Sequence, residues 1–185
     1  QLFSKALQDA ARSLVSNRHM ITKVYFPRLV LPLSSIVAGL VDFAIAFVVL
    51  LGLIAYYQMP LRIEMLTLPL FLLLGLVTAL GVGLWFSALN VLYRDIAYVM
   101  PFLAQFWMFI TPVVYPASMV PEKWSFIYYL NPMTGVVEGF RWALLGTLPS
   151  LPISMIVLSV VISIVILVTG LFYFRRMERL FADMV

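Results

Sequence analysis

The chain has 185 residues, 64% of them hydrophobic and 11% charged, with a mean hydropathy of +1.06. Soluble domains are about 45–50% apolar and about 25% charged, so water is excluded as the solvent for most of this surface. The lack of cysteine excludes disulfides and thiolate nucleophiles or metal sites, and the net charge of +4 does not point to nucleic acid, because the bases stand at the ends of apolar runs where the positive-inside rule puts them.

Gln1 opens the chain without a basic start, short apolar core and small-residue cleavage site, and the sequence reads as part of a longer protein. Residues 1–16 place Leu2, Phe3, Ala6, Leu7, Ala10, Leu14 and Val15 on one helical face, with Lys5, Gln8, Asp9 and Arg12 on the other. Two readings stay open for this amphipathic helix: an interfacial helix, or the emerging end of a truncated span. Residues 17–32, NRHMITKVYFPRLVLP, form a basic and aromatic turn closed by Pro27 and Pro32, which have no amide proton to continue a helix. A structured turn between spans is a surface on which a soluble partner can dock.

Four apolar runs follow, at 33–57, 66–93, 96–115 and 151–174. At ~1.5 Å per residue each is close to or beyond the length needed to cross a ~30 Å hydrocarbon core. Orientation follows from the bases. Residues 1–32, Arg94 and the 175–185 tail carry nine Lys and Arg, against Arg62, Lys123 and Arg141 in the other connections. That asymmetry predicts both ends on the cytoplasmic side.

The segment 116–150 is therefore expected not to cross. Pro116 and Pro121 break it, an aromatic stretch from Glu122 to Leu130 is expected to form one short helix, and Asn131-Pro132 reads as an N-cap and first helical position for a second. Met133 to Leu145, stopped by Gly146, is too short to span. Two such helices make a re-entrant hairpin, which survives at depth only against protein or a water-filled path. The fold class is all-α: a polytopic helical bundle with that hairpin.

Asp42 is the only acid inside a full span, where insertion scales charge roughly 2.5–3.5 kcal/mol. Ser34, Ala38, Asp42 and Ala46 recur at spacing four, so the acid sits on a small-residue face. It serves either an interhelical ion pair or hydrogen bond, or a proton or cation relay. Gly75, Ala79, Gly83 and Ser87 form a second small-residue stripe, read as a helix contact face. Tyr98, Phe102, Phe106 and Phe109 share one face of the third run; such a row suits sugar stacking along a glycan path, or simple packing. Glu138 and Arg141, three apart, are expected to pair, either structurally or as a gate contact. His19 has no second ligand at metal spacing, and no lysine follows a glycine, so no GK[ST] phosphate loop exists. Nothing supports an enzyme.

Taken together, SNRHMITKVYFPRLVLP, LVDF, LNVLYRDI, TPVVYP and YLNPMTGVVEGFRWALLG resemble, in order and over nearly the whole chain, the permease subunit of ABC exporters for polysaccharides and polyol-phosphate polymers. Members of that family export O-antigen, capsule or teichoic acid across the bacterial inner membrane. The resemblance implies a six-span permease of which this chain would begin within the second span. It also implies a homodimer above two ATP-binding subunits, which carry the ATP and Mg, moving a lipid-linked glycan. Asn17, Arg18, Lys23, Tyr25, Phe26, Pro27 and Arg28 would form the coupling element seated on the ATPase. Pro112, Tyr115, Pro116, Glu138 and Arg141 would belong to the outer gate. Other readings remain: an ABC exporter of drugs, haem or lipids, an ion-coupled carrier built on Asp42, or a non-transporting membrane anchor.

Overall fold

The structure is a computed structural model that describes residues 1–23, 26–60, 62–115, 119, 123, 128–146, 153–179 and 181. Its helices are α1 (Leu2–Ser16), α2 (Arg18–Lys23), α3 (Val30–Tyr56), α4 (Leu68–Leu92, preceded by a 3-10 turn at Ile63–Thr67), α5 (Ile96–Ile110), α6 (Pro132–Leu145) and α7 (Ile153–Glu178). No strand occurs among the described residues. Three segments, Val30–Tyr56, Ile63–Leu92 and Ile153–Glu178, are long and apolar enough to cross a membrane. The protein is an all-α polytopic membrane bundle.

The first span begins three residues earlier than proline chemistry alone predicts. Pro32 lies in the first turn of α3 and is buried. First-turn amides have no intrahelical acceptor, so a missing donor there loses nothing. The third apolar run is shorter than expected: α5 stops at Ile110, and Thr111 is extended. Its 15 residues reach only ~22 Å, less than the hydrocarbon thickness, so α5 needs its neighbours to complete the passage.

α4 touches α1, α3, α5, α6 and α7, and α1 packs into the bundle against it. The predicted apolar face of α1 is buried, with Ala6, Leu7, Ala10, Ala11 and Leu14 all fully enclosed. It lies on the small-residue stripe of α4, where Ala79, Gly83 and Ser87 are buried and a Cβ on Gly83 would come within 2.9 Å of Ala10. Close approach through small residues is what holds apolar helices together when lipid offers an equally apolar alternative. α4 meets α7 the same way: a Cβ on Gly81 would lie 2.7 Å from the Leu167 amide nitrogen, and one on Gly170 would lie 2.5 Å from the Gly81 carbonyl.

The small-residue face of α3 behaves differently from expectation. Ser34, Ala38, Asp42 and Ala46 are exposed, and α1 covers the adjoining strip at Leu31, Ile36 and Gly39. Gly39 decides the register, since a Cβ there would sit 3.0 Å from the Leu2 side chain. The rest of α3 is largely open, with Val41, Ile45, Val48 and Val49 exposed as a lipid-facing helix requires.

Successive long helices alternate in direction. Leu14, Leu31, Val91, Phe174 and Phe181, from the ends or starts of α1, α3, α4 and α7, share one buried cluster. This is the basic end. The opposite end gathers the 3-10 turn, the α5 terminus and α6.

Candidate functional site

At the basic end, α1 closes on Asn17, whose side-chain amide donates to the Ser13 carbonyl at 2.8 Å. α2 follows at once, carrying Arg18, His19 and Lys23 exposed, and Pro27 is exposed where the chain turns into α3. Phe26 is different. It packs against the buried cluster of Leu14, Leu31 and Phe174. Arg28 also turns back onto the bundle: its guanidinium donates to the Glu178 carbonyl and stands 6.0 Å from the centroid of the Phe181 ring. Arg18, Lys23 and Pro27 thus face outward at this end, and Phe26 and Arg28 turn onto the bundle. Tyr25 lies outside the described residues.

A second device at this end was not foreseen. Pro101 lies inside α5 and supplies no amide to the Ala97 carbonyl one turn back. Arg12 of α1 takes that place, donating to the Ala97 carbonyl at 3.1 Å. Asn90 of α4, almost fully buried, donates to the Ala11 carbonyl at 2.9 Å and accepts from the Ala97 amide at 3.1 Å. That amide belongs to the first turn of α5, where no intrahelical acceptor exists, and the N-cap residue Asp95 makes no side-chain cap bond. Asn90 and Arg12 therefore fasten α5 to α4 and α1. The only signal in the sequence was one Asn in a charge-free apolar run.

At the opposite end, the predicted cap geometry is present. Asn131 Oδ1 accepts from the Met133 amide at 3.1 Å, and Gly146 terminates α6 in the left-handed region with φ 61°. Asn131 does more than cap. Its Oδ1 also accepts from Trp107 Nε1 at 3.1 Å, and its Nδ2 donates to Thr111 Oγ1 at 2.9 Å. Glu138 is 4% exposed and pairs with Arg141, which in turn donates to the Pro112 carbonyl at 3.0 Å and the Val113 carbonyl at 3.4 Å. These carbonyls follow the end of α5, so no helical amide reaches them. The Tyr115 hydroxyl lies 3.1 Å from the Phe109 carbonyl and 2.7 Å from the Tyr128 hydroxyl. Pro112, Glu138 and Arg141 thus meet in one network joining the α5 terminus to α6, and Tyr115 bonds separately to the Phe109 carbonyl and Tyr128. Pro116 and most of the hairpin's first limb lie outside the described residues.

On the neighbouring turn, Arg62 is bound to Glu64 at 3.1 Å, a hydrogen bond that raises the guanidinium above its ordinary pKa. The same guanidinium packs over Gly146, where any Cβ would collide with it. α6 sits tightly on its other neighbours too. A Cβ on Gly139 would lie 2.4 Å from the Phe71 ring, and one on Gly135 would lie 2.3 Å from Ser159 Oγ.

Between the ends, Asp42 pairs with Lys5 of α1. Asp42 lies twelve residues into α3, at ~18 Å along the helix, so Lys5 belongs to mid-depth and eight of the nine bases counted above remain at the basic end. The pair lines a cavity of ≈ 670 Å³ between α1, α3, α4, α5 and α6, with Gln8 and Asp9 polar and Phe43, Trp107 and Phe140 apolar. The row Tyr98, Phe102, Phe106 and Phe109 is on the other side of α5. Those rings are 78%, 79%, 63% and 56% exposed. Among the described residues they pack against nothing that would account for a row of four.

Comparison with known proteins bears on what this arrangement is for. A family model described as ABC-2 type transporter matches residues 4–145. An O-antigen export system permease protein RfbA of Klebsiella pneumoniae is 28% identical over 185 residues, covering 99% of this chain and 70% of that protein. Its namesake in Myxococcus xanthus is 32% identical over 142 residues, covering 75% of this chain and 54% of that protein.

Proposed function

The chain belongs to the ABC-2 type transporter family, and from that premise we propose that it is the membrane permease of an ATP-driven exporter of a lipid-linked polysaccharide in the bacterial inner membrane. Two copies form the path, and separate ATP-binding subunits with their ATP and Mg sit beneath the basic end. The cargo reading is supported by relatives named for O-antigen export that align over almost the whole chain. The inward placement of the basic end is supported by eight bases there against three elsewhere in the connections.

The observation that carries the path is the exposed aromatic row of α5. Sugar rings present apolar faces that stack on aromatic rings while their hydroxyls stay hydrated at the edges. Spaced at four, four and three residues, the rings repeat along ~16 Å of α5, a length that accommodates more than one sugar at once. Two such rows facing each other would make a wall that slides a polymer and does not trap it.

Transmission follows from the contacts at the two ends of α5. ATP closure displaces the outward half of residues 17–32, and α1 and α3 move with it. Arg12 and Asn90 pass that displacement to the start of α5, and the Trp107, Thr111, Asn131 and Arg141 network passes it from the end of α5 to α6. A 15-residue helix fastened at both termini moves as a rigid element, so a shift at the basic end appears at the gate. An ion-coupled carrier is less well supported, because Asp42 is already paired with Lys5.

The test is export in cells lacking the native permease. Phe102→Ala and Phe106→Ala should insert, bind the ATP-binding subunit and yet reduce surface glycan; unchanged surface glycan would assign the row to packing.

A further inference from the structure

The coupling element and the end of α7 are about 150 residues apart in sequence and share one buried joint. Arg28 donates to the Glu178 carbonyl, in the last turn of α7. The last carbonyls of a helix have no intrahelical donor, and a cation there is also favoured by the helix dipole. Beyond the turn, Phe181 is completely buried. Its ring meets Phe174 edge-on, centroids 5.2 Å apart at 75°, and presents itself to the Arg28 guanidinium at 6.0 Å. Leu14, Leu31, Leu84 and Val91 complete the enclosure. Phe181 thus forms an aromatic plug beneath the arginine.

We propose that Arg28 is a positioning residue that latches the end of α7 to the coupling element, so that α7 is driven together with α3 when the ATP-binding subunit pushes on residues 17–32. This rests on the coupling reading above and deepens it. Arg28 sits two residues before α3 begins and holds α7 by a hydrogen bond and a ring contact at once. A planar guanidinium can donate from its edge and offer its face to a ring in one geometry, which a compact, strongly hydrated ammonium matches less well. α7 crosses α4 at Gly81 and Gly170 with no room to slide. A push at Arg28 is thus passed to α4 by a second route, independent of α1.

The test uses the whole permease with its ATP-binding subunit, reading subunit co-purification, ATP hydrolysis and glycan exported per ATP. Arg28→Ala and Phe181→Ala should keep the subunit and its hydrolysis, lose about tenfold in export per ATP, and lose no more when combined, as expected of two halves of one contact. Arg28→Lys should lose less, about threefold, since the ammonium keeps the hydrogen bond and part of the ring contact. If the alanine variants do not insert, Phe181→Leu, which keeps the buried volume and removes the ring, should show the same drop in export per ATP. Loss of the subunit from Arg28→Ala but not from Phe181→Ala would make Arg28 a docking contact and overturn the latch. Unchanged export per ATP with the subunit bound would also overturn it while leaving the coupling reading intact. Failure of the unsubstituted permease to bind any ATP-binding subunit would bring down the coupling reading and the latch with it.

Discussion

The two ends of α5 are fastened by the same chemistry and by opposite kinds of sequence separation. At the basic end the fastening side chains, Arg12 and Asn90, come from α1 and α4, and the Asn90 bond to Ala11 joins residues 79 apart. At the gate end, Asn131 and Arg141 both belong to one 14-residue helix, α6, and its cap. A joint made by several helices integrates their motions, whereas a joint made by one short helix lets that helix follow. If α5 transmits motion as proposed, the difference gives it a direction: input is distributed and output is local.

Breaking the gate joint should have the largest effect. Glu138→Ala leaves Arg141 charged and half-enclosed, at a cost of roughly 3–5 kcal/mol, and should markedly lower the melting temperature of the purified permease. Glu138→Ala with Arg141→Met should recover much of that loss. At the basic joint, Asn90→Ala removes the bonds to the Ala11 carbonyl and from the Ala97 amide, about 0.5–1.5 kcal/mol each, while the Ala97 amide keeps the Arg94 carbonyl at 3.3 Å. The same melting measurement should show a smaller but clear fall. Gly146→Ala should cost about 1 kcal/mol from the left-handed backbone alone, with a further penalty as Arg62 is displaced. Phe102→Ala should change stability by less than ~0.5 kcal/mol because the ring is exposed, and should act on export only. A large melting shift in Phe102→Ala would mean the row is buried in the assembled protein for structural reasons.

The gate end was far more legible in the sequence than the basic end, for the same reason of locality. Asn131-Pro132 and Gly146 announce a helix start and stop through backbone chemistry that involves only their neighbours, and Glu138 and Arg141 share a face at spacing three. Arg12 looked like a solvated polar residue, because the carbonyl it serves is freed by Pro101, which is 89 positions away. Phe181 looked like part of a basic tail. The end of the third run was misplaced since hydropathy continues through Val113 and Val114 although the helix has already ended at Thr111. The small residues of α3 were expected to admit a neighbouring helix, yet α1 lies on the adjacent strip because Gly39 there admits Leu2 more closely than alanine would.

The central claim is that α5 carries a displacement from the basic end to a polymer path lined by its aromatic row. The chain contains no cysteine, so Val99→Cys, at an exposed position of α5 outside the aromatic row, spin-labelled in the assembled exporter, reports the distance between the two copies of α5. Trapping the ATP-binding subunits in their nucleotide-bound state should change that distance by several ångström, and Asn90→Ala should abolish the change while the nucleotide still binds. A distance that stays the same with and without nucleotide, in an exporter that continues to move glycan, would contradict the account.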